Sequence, residues 1–207
     1  HGWAAELIEA DGSHFRVLHK AVVQGEVRWG MLGDHNVNNA LAAIGAARHV
    51  GVKPAHACEA LSVFKGVKRR MELRGEVRGV RVYDDFAHHP TAIETTLAGV
   101  RASAGSGRIL AVLEPRSNTM KMGVHSHALA DSLRAADHCY VYQGPDIDWD
   151  VRGALQSLGE QVTVFSELDQ LVKAATATAG QGDRMVVMSN GGFGGVHQKL
   201  LDELANS

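Results

Sequence analysis

The chain has 207 residues, of which 45% are hydrophobic and 21% charged, with a formal net charge of -2. That length can bury the core of one large or two small domains, and the composition is that of an ordinary soluble protein. The near-neutral balance excludes a dedicated nucleic-acid binder, no apolar run approaches the roughly 20 residues of a membrane span, and no signal peptide is visible.

The text opens without methionine, directly in strand-like residues, so a piece of something longer is expected. Trp3 to Leu32 reads as antiparallel strands. Asp11-Gly12 is a turn between Ala5–Leu7 and the alternating Phe15, Val17 and His19, and Gln24-Gly25 offers a second turn before Val27 and Trp29. From Asn36 to about Val50 the period changes: Val37, Ala40, Leu41, Ile44 and Ala47 recur at helical spacing, and Gly51 supplies a stop. Pro54 opens a shorter helix through Leu61 and Val63. The isolated Cys58 and Cys139 have no zinc-ligand spacing and suit a reducing cytoplasm.

After Arg70 a different rhythm begins. Val80–Tyr83 is a strand, followed by a helix from Pro90 or Thr91 to Val100, with Thr91 and Glu94 fitting a capping box. Ile109–Leu113 is a wholly apolar strand and His125 to Ala136 a helix. Strand Cys139–Tyr142, a helix near Val151 to Leu158 and strand Val162–Phe165 follow. Ser166 is the expected cap of a helix over Leu168 to Thr178, and Met185–Met188 and Val196 to Leu204 are the last strand and helix. Strands without polar alternation, separated by helices, predict a mostly parallel α/β sheet with helices on both faces.

Ligands of such sheets bind outside the carboxyl ends of the strands. Three polar groups fall there: Asp84-Asp85, Glu114-Pro115-Arg116 and Ser189-Asn190-Gly191-Gly192. Asp84 and Asp85 could accept from ribose hydroxyls or sit near a hard cation, or they could simply be solvated strand ends. His88 and His89 lie between that pair and a helix start, where anions are favoured, and could act on a phosphoryl group or a carboxylate. Lys65, Lys68, Arg69 and Arg70 read as a phosphate clamp or a charged linker, since Arg suits bidentate phosphate contact. Arg116 and Lys121 could neutralise an anionic substrate, with Ser117, Asn118 and Thr119 as donors. His35, Asn36, Asn38 and Asn39 exceed what capping one helix requires, and an amide offers the donor and acceptor that match an adenine edge. Gly191-Gly192-Phe193-Gly194-Gly195 fails the dinucleotide fingerprint, because the third glycine would fall at His197.

Taken together, Gly33-x-His35-Asn36-x-x-Asn39-Ala40, Lys68-Arg69-Arg70-Met71 and Asp84-Asp85-x-Ala87-His88-His89-Pro90-Thr91 resemble the Mur ligase family over nearly the whole chain. The family makes amide bonds of the bacterial cell wall with ATP. The Glu114 to Lys121 run and the Ser189 to Gly195 loop are most similar to members that attach a recycled murein tripeptide, L-alanyl-γ-D-glutamyl-meso-diaminopimelate, to UDP-N-acetylmuramate. The resemblance implies two pieces: residues 1–70, β-hairpins and helices closing an ATP-binding central domain, and residues 71–207, a Rossmann-like C-terminal domain for the incoming amino acid or peptide. It implies His35, Asn36 and Asn39 near adenine, and Arg69 or Arg70 on the nucleotide phosphates. Asp84 or Asp85 would hold the ribose, and His88 and His89 would lie near the γ-phosphate and the amine. Arg116, with Ser117, Asn118, Thr119 and Lys121, would face the peptide. The implied cofactors are ATP and Mg2+, in a cytoplasmic enzyme without nucleic-acid or membrane partners. No Gly-x-x-x-x-Gly-Lys-[Ser/Thr] loop occurs in these residues, so the chain alone is expected not to ligate. The alternatives are a ligase that adds L-alanine to UDP-N-acetylmuramate, and a non-enzymatic peptide- or nucleotide-binding module. A nicotinamide enzyme is opposed by the failed fingerprint.

Overall fold

The computed structural model describes residues 2–116 and 126–207. The chain divides into two compact units, His1–Val67 and Lys68–Ser207, so the basic run is split and Lys68, Arg69 and Arg70 go with the second unit.

In the first unit, strands β1 (Trp3–Leu7), β2 (His14–His19) and β3 (Val22–Arg28) form an antiparallel sheet in chain order, followed by α1 (Asp34–His49) and α2 (Pro54–Ser62). The first turn lies where Asp11-Gly12 indicates. The second does not: His19 pairs with Val22, so the chain reverses at Lys20-Ala21, with φ of 52° and 63°. Gln24-Gly25 instead lies inside β3. Gly25 is there for room, since a Cβ at that position would stand 3.0 Å from Cys58 Sγ of α2. Phe15, Val17 and Val27 of the sheet bury against Val37, Ala40 and Ile44 of α1 and Cys58 of α2, with Trp29 donating from Nε1 to the Gly12 carbonyl at 3.0 Å.

The second unit is a six-stranded sheet ordered β4-β5-β9-β6-β7-β8. Its strands are β4 (Glu72–Val77), β5 (Val80–Asp85), β6 (Ile109–Leu113), β7 (His138–Tyr142), β8 (Val162–Phe165) and β9 (Arg184–Met188). All neighbours are parallel except β4, which returns antiparallel on β5 through a turn at Arg78-Gly79. Sequence reading missed β4 because Glu72, Arg74 and Glu76 leave its apolar pattern thin, as edge strands tolerate.

Successive residues of each strand serve opposite faces. Ile109, Ala111, Leu113, Val186 and Met188 pack against α3 (Pro90–Ala104), α4 (Ser126–Leu133) and α5 (Val151–Leu155). Leu110, Val112, Met185 and Val187 pack against α6 (Leu168–Thr178) and α7 (Val196–Asn206). Burying each such side chain larger than alanine contributes about 1.5–3 kcal/mol. Three local expectations need correction. His89, not Thr91, caps α3: its Nδ1 accepts from the Thr91 amide at 3.4 Å, and Pro90 takes the first helical position. Glu167, not Ser166, precedes α6 and makes no side-chain cap bond. The helix begun at Val151 ends at Leu155 and continues as a 3-10 segment, Gln156–Gln161, broken at Gly159.

Candidate functional site at the strand ends

In the first unit, Gly33 precedes α1 without side-chain capping, so none of the polar residues that follow serves as its N-cap. Asn36 Nδ2 donates to the Leu32 carbonyl at 2.8 Å, fixing the entry to the helix. His35 and Asn39 are exposed, four residues apart and so on one helical face.

In the second unit, the order β5-β9-β6-β7 brings the ends of β5, β9 and β6 side by side, so the loops after Asp85, Met188 and Leu113 are neighbours. Asp84 and Asp85 point to opposite faces, as the strand period requires, and both are buried. Asp85 Oδ1 accepts from the Ala87 amide at 2.8 Å and Thr96 Oγ1 at 3.3 Å, and Oδ2 from the Met71 amide at 2.9 Å. Burial pushes its carboxyl above the ordinary value, against the pull of those amides. Asp84 sits between Arg69, whose Nε is 3.4 Å away, and His197, whose Nε2 is 3.2 Å away. Burial pushes the Asp84 carboxyl up, but His197 and Arg69 outweigh it and hold the group below its ordinary value.

The two arginines of the basic run differ. Arg69, at φ 58°, turns its guanidinium onto its own chain, with Nη2 donating to the carbonyls of Ser189 at 2.5 Å and Gly191 at 2.9 Å. Arg70 is exposed and makes no hydrogen bond or ion pair among the described residues. Both guanidinium groups lie over the Phe86 ring, at 5.0 and 5.5 Å, and His88 meets the same ring edge-on at 5.2 Å. His88 Nδ1 is 2.8 Å from the Phe86 carbonyl, which can only accept; the ring therefore donates from Nδ1 and presents Nε2 elsewhere. Sequence reading passed over Phe86 because an aromatic after a strand looks like core.

Glu114, just past β6, is buried and accepts from Ser189 Oγ at 2.6 Å. Arg116 is half exposed, its Nη1 3.8 Å from Glu114 Oε1. These two residues stand at a cavity of about 230 Å³ completed by Tyr142, Gly144, Pro145, Asp146, Ile147, Leu168, Phe193 and Gly194. Tyr142 and Asp146 were legible by the rule that marked the other strand ends, had it been applied after β7. Ser117, Asn118, Thr119 and Lys121 lie outside the described residues. Among the described residues, no three carboxylate, imidazole or thiol groups converge as a metal site, and no helix is long and apolar enough to cross a membrane.

The rim thus offers an exposed guanidinium and an imidazole beside one aromatic ring. A second guanidinium stands at a separate cavity of mixed polar and apolar lining, with Glu114 and Asp146 beside it. Such a surface can bind anionic groups at two places and supply a proton acceptor near one of them.

Comparison with known proteins identifies relatives. The family model for the Mur ligase glutamate ligase domain matches residues 69–191. The chain is 51% identical over 204 residues to UDP-N-acetylmuramate–L-alanyl-γ-D-glutamyl-meso-2,6-diaminoheptandioate ligase of Escherichia coli (strain K12), a match covering 98% of this chain and 45% of that protein. It is similar to the crystal structure of a murein peptide ligase from Psychrobacter arcticus 273-4, with TM-score 0.71 and 47% identity over 100% of this chain and 45% of the other. A separately crystallised domain of a Haemophilus ducreyi protein described as such a ligase aligns over 66% of this chain and 100% of its own, with TM-score 0.57 and 45% identity. The chain spans a little under half the length of the first two.

Proposed function

The chain belongs to the Mur ligase family, and from that premise we propose that it forms part of a cytoplasmic, ATP-dependent amide ligase. The proposed reaction joins L-alanyl-γ-D-glutamyl-meso-diaminopimelate to UDP-N-acetylmuramate. ATP transfers its γ-phosphoryl group to the muramate carboxylate, giving an acyl phosphate and ADP. The peptide's amine, having lost a proton, attacks the acyl carbon, and inorganic phosphate leaves. Activation is needed because a carboxylate is a poor electrophile, and the protein's part is positioning and charge.

The observation that carries this reading is the cavity beside Arg116: its lining sets one guanidinium and the carboxylates of Glu114 and Asp146 among the apolar side chains of Ile147, Leu168 and Phe193, which suits an acceptor with charged ends on an aliphatic stem. Arg116 is assigned to an acceptor carboxylate, with Ser117, Asn118, Thr119 and Lys121 in the same loop. Arg70 is assigned to the nucleotide phosphates, because Arg69 is occupied by the Ser189 and Gly191 carbonyls. Either aspartate would have to exchange an internal partner for a ribose hydroxyl. The contacts of Asp84, at 3.2 and 3.4 Å, are longer than the amide bonds of 2.8 and 2.9 Å that hold Asp85, so Asp84 exchanges more readily. His88 and His89 are assigned to the acyl transfer, and His35, Asn36 and Asn39 of the first unit to the adenine. Among the described residues no three ligand groups converge, so Mg2+ is assigned chiefly to the ATP phosphates, which with one or two carboxylates and waters suffice to hold it.

The test is ADP release by the full-length protein, dependent on both UDP-N-acetylmuramate and acceptor. The tripeptide should exceed L-alanine in kcat/KM by about a hundredfold or more, and Arg116→Ala should raise the tripeptide KM by about tenfold or more. A preference for L-alanine would move the assignment to the alanine-adding ligases. The 207-residue chain alone should release no ADP, since it lacks the phosphate-binding loop.

A further inference from the structure

We propose that Ser189 is a positioning residue for Arg116, acting through Glu114 and Gly191; the inference rests on the acceptor reading of the Arg116 cavity. Ser189 is 1% exposed and every one of its polar atoms is used. Its amide donates to the Asp85 carbonyl at 3.2 Å and its carbonyl accepts from Arg69 Nη2 at 2.5 Å, so the backbone is anchored independently of the side chain. That leaves the hydroxyl free to organise something else.

The hydroxyl has one proton and two lone pairs, and it uses both capacities. It donates to Glu114 Oε2 at 2.6 Å and accepts from the Gly191 amide at 2.9 Å. Among the described residues, that donation is the one hydrogen bond the buried Glu114 carboxylate accepts. With Oε2 tied inward, Oε1 is left 3.8 Å from Arg116 Nη1. The second bond fixes the floor beneath the same arginine, because a Cβ on Gly191 would stand 2.5 Å from Arg116 Cδ and 2.6 Å from Nε. One hydroxyl therefore sets both the carboxylate facing the guanidinium and the backbone under its stem. Arg116 is 51% exposed and has little packing of its own to hold it, so its direction depends on these two supports. Alanine at 189 removes both at once.

The experiment uses the full-length protein with UDP-N-acetylmuramate, ATP and the tripeptide. Ser189→Ala should raise the tripeptide KM by about tenfold while the ATP KM stays within about twofold. Glu114→Gln keeps an acceptor for the hydroxyl but removes the charge facing Arg116, and should raise the tripeptide KM likewise with little change in thermal midpoint; it also carries the test if Ser189→Ala does not fold. Ser189→Thr keeps the hydroxyl but crowds a buried site. It should lose stability and still hold the wild-type tripeptide KM, a separation that a merely structural serine would not show. Tripeptide KM values within about twofold of wild type in both Ser189→Ala and Glu114→Gln overturn the proposal, as does an equal rise for ATP. A wild-type protein unable to couple the tripeptide overturns the acceptor reading itself, and this proposal with it.

Discussion

Arg69 and Arg70 are identical letters side by side, and they do opposite things. Arg69 forks across two backbone carbonyls and Asp84, a geometry that a lysine ammonium cannot reproduce. Arg69→Lys should therefore lower unfolding stability by about 1–3 kcal/mol, read from the denaturant midpoint, whereas Arg70→Lys should leave it within about 0.5 kcal/mol. Asp84 makes a second prediction through its depressed pKa. The folded state binds this proton more weakly than the unfolded chain does. The stabilisation is then complete above the unfolded value near about 4 and fades as pH falls through the lower folded value. Asp84→Asn should be less stable than wild type at pH 7, and the gap should narrow on acidification below about pH 4; a gap independent of pH would refute the assignment. The basic run was visible in the sequence, but the division of labour inside it was not. It depends on a positive φ at Arg69, and nothing in the letter Arg announces that.

At the level of elements, the strands of the parallel sheet were legible because burial on both faces removes polar residues from them, as in Ile109–Leu113. The first unit was harder. Gly25 looked like a turn because glycine usually marks one, yet its role is to let β3 approach Cys58. The actual reversal uses Lys20 and Ala21, two residues with no intrinsic liking for left-handed backbone. Replacing them with Asn-Gly should stabilise the protein by about 1 kcal/mol, seen as a raised denaturant midpoint with an unchanged slope. A fall in the midpoint would show that the left-handed pair is not strained. The cap of α3 was misread for a related reason. Thr91 fits the capping pattern by letter, but Pro90 must occupy the first helical turn, which leaves His89 as the residue before it.

For the molecule as a whole, the two units differ in how far they satisfy themselves. The second has an apolar cluster on each face of its sheet. The first has a small core and exposes Val22, Val23, Val63 and Phe64. Residues 68–207 expressed alone should unfold in one cooperative transition with coincident circular dichroism and fluorescence midpoints, and residues 1–67 alone should not. The separately crystallised Haemophilus ducreyi domain is consistent with the first half of that expectation. The place of β9 between β5 and β6 carries a consequence for biosynthesis. The strand that fills the middle of the sheet is synthesised after every other strand of that sheet. At roughly 5–20 residues per second, β5 and β6 wait several seconds after their own synthesis with their facing edges unpaired. During that interval the nascent chain offers two apolar strand edges to its neighbours, as templates for aggregation and as a surface for chaperones. A stop codon anywhere before Arg184 would make that vulnerable state permanent, so truncated products should be cleared by proteolysis rather than accumulate as a smaller folded domain.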